Sequence, residues 1–274
     1  MPELPEVETL ARDLRRLLLG AVFARVDVLW PRSVALPDAD EFARDLPGHA
    51  ILNVGRRGKY LQIALSGLIY LLIHLRMSGQ LRVEPAAMQA DGHARVVFHL
   101  GDGRQLIFSD ARKFGRMYLT SDPEQVTGGL GPEPLGEEFT LASFSELLTR
   151  RKGALKPLLL NQTFLSGLGN IYSDEALFAA GLHPLRKASS LTPAEAGRLY
   201  LAIRAVLQRA IGSRGTTLPD GRYRDAEGNP GGNQQNLCVY QRGGEPCVRC
   251  GTPIERIVVG QRGTHYCPNC QKGG

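Results

Sequence analysis

Apolar residues recur at helical spacing almost from the first residue: Val7, Leu10, Ala11, Leu14, Leu17 and Leu18 share one face, and Gly20 ends the run. This predicts a helix over residues 5–19. From residue 21 to 120 the chain shows short β-type runs, at 21–30, 60–65, 69–74, 94–100 and 105–108. Gly101-Asp102-Gly103 between the last two marks a hairpin turn. This half reads as a β-sandwich or barrel. Around Gly128-Gly129-Leu130-Gly131-Pro132 the composition becomes that of a linker, and beyond it the spacing is helical at 141–150, 155–160, 173–180 and 193–211. Thr192, Pro193 and Glu195 supply an N-cap, a first-turn proline and a capping-box glutamate. The fold class is α+β in two domains: a sandwich over 1–131, then helices over 132–236, with a small module over 237–274.

Two stretches interrupt this pattern. Gly167-Leu168-Gly169-Asn170 joins two helix candidates, and its glycines let backbone amides approach a phosphate or simply make a turn. Residues 213–236 are Gly-rich and polar with no apolar period. A stretch of that length is a functional loop or a flexible linker, and the residues alone leave both open.

Charge narrows the partner. Lys and Arg exceed Asp and Glu by 33 to 27, a formal +6. Residues 52–118 hold ten basic side chains (Arg56, Arg57, Lys59, Arg76, Arg82, Arg95, Arg104, Arg112, Lys113, Arg116) against four acidic ones (Glu84, Asp91, Asp102, Asp110). That segment carries the whole excess, which favours a polyanion. With 43% hydrophobic residues the chain is neither disordered nor fibrous. It has no signal-peptide form and no apolar run of about 18 residues, so a soluble, intracellular protein without membrane association is expected.

Cys247-x-x-Cys250 and Cys267-x-x-Cys270, sixteen residues apart, have the spacing of a four-cysteine zinc ribbon. Such a site is closed, so one structural Zn2+ is expected; two disulfides would require an oxidising compartment. Cys238 reads as a small apolar residue. Strands at 254–259 and 264–266 would form a hairpin with Gly260-Gln261-Arg262-Gly263 at its tip. Arg262 there suits a phosphate, or is a solvated turn residue.

The N-terminus holds the remaining chemistry. Methionine before proline is commonly removed, which would leave Pro2 with a secondary amine at a helix start. Such an amine attacks electrophilic carbon and gives a charged iminium with an aldehyde. The helix dipole disfavours its protonated form. Glu3 and Glu6 stand beside it and one turn on, placed for proton transfer or orientation. Pro and Glu are also what any helix start prefers, and the residues alone leave both readings open.

Met1-Pro2-Glu3-Leu4-Pro5-Glu6-Val7-Glu8 is followed by Gly58-Lys59-Tyr60-Leu61, His74-Leu75-Arg76-Met77-Ser78-Gly79, Asp110-Ala111-Arg112-Lys113-Phe114-Gly115 and Gly169-Asn170-Ile171-Tyr172. With the cysteine module these resemble, end to end, the bacterial formamidopyrimidine-DNA glycosylases. The resemblance implies a β-sandwich with a catalytic N-terminal helix, a helix–two-turns–helix domain and a zinc ribbon. It implies a bifunctional glycosylase and abasic-site lyase that removes 8-oxoguanine and formamidopyrimidines, acting on lesion-bearing double-stranded DNA in the bacterial cytoplasm; with no coiled-coil or repeat pattern in the sequence, a monomer is expected. Pro2 would attack C1′, with Glu3 as proton donor and shuttle and Glu6 in support. Lys59 would contact phosphate and assist catalysis; Arg262 is placed in the catalytic set as a phosphate grip, shared with His74 and Asn170. Lys156 and Tyr240 would face DNA. A base in a duplex must be extruded before it can be attacked. Met77 and Phe114 would then wedge the gap, Arg112 would bond the orphaned base, and loop 213–236 would contact the lesion. The related endonuclease VIII type, acting on oxidised pyrimidines, matches the 77–79 and 110–115 motifs less well. A non-catalytic zinc-ribbon DNA-binding protein is the reading from another class.

Overall fold

The computed structural model describes residues 1–89 and 91–273. The chain divides into two compact units, Met1–Gly129 with Ser213–Gln234, and Leu130–Gly212 with Gln235–Gly274. Of the loop expected at 213–236, Ser213–Gln234 pack with the first unit, and the cysteine module packs with the helices of the second.

The first unit opens with α1 (Leu4–Leu18), whose first turn holds Pro5 and whose N-cap Glu3 forms a capping box with Glu6. There follow β1 (Phe23–Val28), β2 (Val34–Leu36), α2 (Ala39–Asp45), β3 (Ile51–Arg57), β4 (Tyr60–Leu65), β5 (Ile69–His74), β6 (Gly79–Pro85), β7 (Ala94–Leu100), β8 (Arg104–Asp110), β9 (Arg116–Thr120) and the single turn α3 (Glu124–Thr127). Helix α2 lies where only strands were expected; Asp38 caps it by accepting from the Asp40 and Glu41 amides. The strands form two sheets, β1-β7-β8-β6 and β2-β9-β5-β4-β3, antiparallel except for β2 beside β9. Phe98 and Phe108 of the first sheet and Leu61, Leu71 and Ile73 of the second share one core. Val7, Leu10, Leu14 and Leu18 of α1 enter the same core, each contributing roughly 1.5–3 kcal/mol by burial. The Arg15 guanidinium on the Val54 carbonyl and the Arg56–Glu8 ion pair fix α1 against β3.

The second unit comprises α4 (Leu141–Thr149), α5 (Leu155–Leu160), α6 (Asn170–Ala180), α7 (Pro193–Gly212), and the hairpin β10 (Glu255–Val259) with β11 (Arg262–Tyr266). Helix α7 carries the expected capping box, with the Glu195 amide donating to Thr192 Oγ1 and the Thr192 amide to the Glu195 carboxylate. Helix α6 begins three residues before its apolar pattern, at Asn170, with Gly169 as N-cap.

Candidate active site and nucleic-acid interface

In the first unit Pro2 is buried immediately before the N-cap of α1, while Met1 is exposed. Glu3 is only 2% exposed. Its amide donates to Glu6 Oε2 at 2.8 Å, and Glu6 Oε1 accepts from the Thr216 amide at 2.8 Å, so both oxygens of Glu6 are held. Burial, reinforced by the Glu6 and Asp13 carboxylates, pushes the Tyr223 phenol well above its ordinary range, so it remains a neutral donor to the Arg214 carbonyl.

Lys59 is buried in the β3–β4 turn, after Gly58 with φ +56°. Tyr60 and His74 are cross-strand partners with their rings edge to face at 4.6 Å, so Lys59 and His74 lie at the same end of the sheet. His74 is 8% exposed and its pKa is pushed down to about 3, by burial first and then by the Arg76 and Lys59 charges. Its Nδ1 accepts from the Arg76 amide. The ring is therefore neutral with its proton on Nε2, a donor suited to a phosphate oxygen.

Met77, Arg112 and Phe114 come together through one buried carboxylate. Asp110 is fully buried and accepts from Ser78 Oγ, beside Met77, and from the Arg112 and Gly115 amides. Phe114 is 48% exposed and carries the Arg112 guanidinium 4.9 Å over its ring. Lys113 between them has φ +60° and turns back to place its ammonium 4.0 Å over Trp30. Only glycine fits at position 115, since a Cβ there would lie 2.3 Å from the Phe108 ring. The organising part of Asp110 is one that sequence reasoning missed: the residue opens the 110–115 motif, but nothing in the motif signals that it is buried.

In the second unit Asn170 opens α6, and its Nδ2 donates to the Gly263 carbonyl at 2.9 Å, leaving a second amide hydrogen for a ligand. Arg262, exposed, precedes Gly263, so the two expected grips adjoin. Arg262 is not in the turn but opens β11 opposite Val259; Gly260 and Gln261, both with positive φ, make a two-residue turn. Tyr240 is half-buried, its ring edge to face with His265 and its amide on Glu175.

Lys156 departs from expectation. It has no exposed surface, and its ammonium donates to Asp174 and to the Asn170 carbonyl. A lysine so enclosed presents no surface in this structure; Leu155, Leu158 and Leu159 seat α5 in the core and take Lys156 with them.

The four cysteines converge as their spacing predicts. Cys247, Cys250, Cys267 and Cys270 each offer a sulfur, all within 4.8 Å of one another. Cys250 Sγ lies 3.5 Å from both Cys267 and Cys270, and Cys247 lies 3.9 Å from Cys270. A tetrahedral thiolate site with metal–sulfur bonds of about 2.3 Å separates sulfurs by about 3.8 Å, so this donor set fits a metal ion. Disulfide pairing is excluded, since bonded sulfurs would lie about 2.05 Å apart.

Three family models match in chain order: "Formamidopyrimidine-DNA glycosylase N-terminal domain" over residues 1–117, "Formamidopyrimidine-DNA glycosylase H2TH domain" over 130–220, and "Zinc finger found in FPG and IleRS" over 244–273. The formamidopyrimidine-DNA glycosylase of Herpetosiphon aurantiacus is 50% identical, with 99% of this chain and 100% of that protein covered. Among solved structures, the MutM (Fpg) protein of Thermus thermophilus is 45% identical with a TM-score of 0.91, covering all of both chains. Lactococcus lactis Fpg, in a complex with DNA containing an abasic site, is 36% identical with a TM-score of 0.92, covering 99% of this chain and 100% of that one. Likeness of this degree over the full length means that the chain belongs to the formamidopyrimidine-DNA glycosylase family.

Proposed function

We propose that this protein excises oxidised purines, 8-oxoguanine and formamidopyrimidines, from duplex DNA and cuts the strand at the emptied site through a Schiff base on Pro2. The observation that carries the reading is Pro2 at the start of α1, beside a buried Glu3 whose amide is tied to Glu6. Removal of Met1 frees the Pro2 amine. Its lone pair forms the bond to C1′ as the C1′–N9 bond breaks, and the base departs with that electron pair and takes a proton. Glu3 supplies the proton that opens the sugar, and Glu6 orients Glu3. The resulting iminium withdraws electrons, so loss of a C2′ proton expels the 3′ phosphate and a second elimination expels the 5′ phosphate. Related Lactococcus lactis proteins are solved with Fapy-dG and with abasic DNA, which supports both halves of the reaction.

Lys59, His74, Asn170 and Arg262 grip phosphates in this reading, and Tyr240 adds a contact beside them. Met77 and Phe114 fill the gap left by the extruded base while Arg112 bonds its partner. The cysteine site holds one zinc ion, whose part is to fold the ribbon rather than to react. One chain acts alone, in the bacterial cytoplasm where its DNA lies. Among the described residues no helix is long and apolar enough to cross a membrane.

Borohydride trapping tests the reading on duplexes bearing 8-oxoguanine opposite cytosine, thymine glycol, or no lesion, with peptide mapping of the adduct. An adduct on Pro2 formed mainly with 8-oxoguanine is expected. Preference for thymine glycol would assign the oxidised-pyrimidine type, and tight binding without any adduct from a correctly processed N-terminus would leave a DNA-binding protein without this chemistry.

A further inference from the structure

The chain leaves α7 at Gly212, and the next residues, Ser213–Gln234, pack as part of the first unit. Arg214 holds the root of that segment. Its guanidinium donates to Asp13 on α1 at 2.7 Å and to Asp225 on the far limb of the loop at 2.6 Å. Both carboxylates are buried, and Asp225 also accepts from the Glu227 and Asn229 amides. Arg214 itself has φ +59°, a backbone conformation that favours glycine. A long side chain persists there only where its contacts outweigh the backbone cost.

Beyond Arg214 the chain reaches the catalytic helix. Gly215, at φ +80°, passes so close that a Cβ would lie 3.0 Å from Glu6 Oε1 and 2.9 Å from the Tyr223 ring. The Thr216 amide then donates to Glu6, whose other oxygen accepts from the Glu3 amide. A single carboxylate thus joins the root of the loop to the residue beside Pro2.

We propose that Arg214 is a positioning residue for base excision: by bridging Asp13 and Asp225 it seats the loop so that Thr216 holds Glu6 in register with Glu3 and Pro2. This rests on the excision reading. Expelling a base requires that register together with a loop set against the extruded nucleotide. An abasic sugar equilibrates with its open aldehyde in solution, so the amine can attack C1′ with no base to expel. Loss of the latch therefore slows excision and spares cutting at abasic sites.

The test uses the full-length, correctly processed protein and Arg214→Gly, since glycine adopts the same backbone conformation without cost. Single-turnover excision of 8-oxoguanine is expected to slow by about tenfold or more, the scale of a misplaced catalytic group, while abasic-site cutting stays within about twofold. Arg214→Lys, able to serve one carboxylate, should recover part of the loss. Unchanged excision, or an equal fall in both activities with a lower Tm, would overturn the proposal. Amide exchange gives an arm that needs no substrate: Arg214→Gly should speed exchange at Thr216 and Glu3, and unchanged exchange there would also overturn it. Failure of the unmodified protein on 8-oxoguanine would count against the excision reading, while the exchange result would still decide the latch.

Discussion

Lys156 Nζ lies 2.5 Å from Asp174 Oδ1, with neither side chain exposed, and the same carboxylate accepts from the His265 amide on β11 through its other oxygen. With Asn170 on Gly263 and Glu175 on the amides of residues 238–240, α6 holds the hairpin and the segment leading to it by buried polar contacts. Removing one partner of such a pair strands a charge. Lys156→Met should therefore cost about 3–5 kcal/mol in denaturant unfolding, and Lys156→Met with Asp174→Asn should recover much of it. A normal unfolding midpoint in Lys156→Met with weakened DNA binding would restore a DNA-facing role to this lysine.

His74 sets a pH dependence. Its folded pKa, near 3, lies below the unfolded value of about 6.5, so below pH about 6.5 the unfolded chain binds a proton that the folded chain refuses. Stability from this residue is whole above that pH and declines as pH falls toward about 3, by at most about 1.4 kcal/mol per pH unit. Unfolding of the wild type and His74→Gln, measured from pH 7.5 to 4.5, should show the steeper decline in the wild type. Since the ring donates while neutral, its contribution to duplex affinity should not grow between pH 7.5 and 6.

Helix α1 is legible in the sequence because its apolar face repeats without interruption, and the cysteine site because ligand spacing is a local property. Loop 213–234 is not assigned to its unit by pattern, because ion pairs and backbone amides attach it: Arg214 and Asp13 lie 201 residues apart, and no periodicity announces such a pair. Helix α2 is short, with Phe42 its one buried residue, so its only strong sign is Asp38 before two acidic first-turn residues. The burial of Lys156 does have a signal. A lysine among Leu155, Leu158 and Leu159, and Asp174 in the largely apolar α6, are the two halves of one buried contact.

Removing the metal should undo the second unit's grip and leave the first unit folded. Val239, Ile254, Phe178 and the cysteines themselves form the small core around the ligands, too little to hold the ribbon alone. Metal analysis should find about one zinc per chain. Chelation or Cys267→Ser should weaken duplex binding and flatten its salt dependence, because Arg262 loses its seat, while the sheet signal in circular dichroism persists. Unaltered binding after complete metal loss would show that the ribbon does not contribute to the grip.

The Lys113–Trp30 contact predicts how the loop carrying Arg112 and Phe114 is held. Lys113 is turned onto Trp30, while the residues on either side, Arg112 and Phe114, pack on each other. The contact is worth roughly 0.5–1 kcal/mol at an accessible site, so losing it should weaken binding to lesion duplex by about two- to fivefold. Lys113→Asn, which tolerates the left-handed backbone, and Trp30→Leu, which keeps the lysine charge, should show equal losses with the same salt slope. Trp30 is the only tryptophan, so its emission reports the contact directly and should change in Lys113→Asn before any DNA is added. A reduced salt slope in Lys113→Asn, with no effect of Trp30→Leu, would instead make Lys113 a phosphate ligand and leave Asp110 alone to shape the loop.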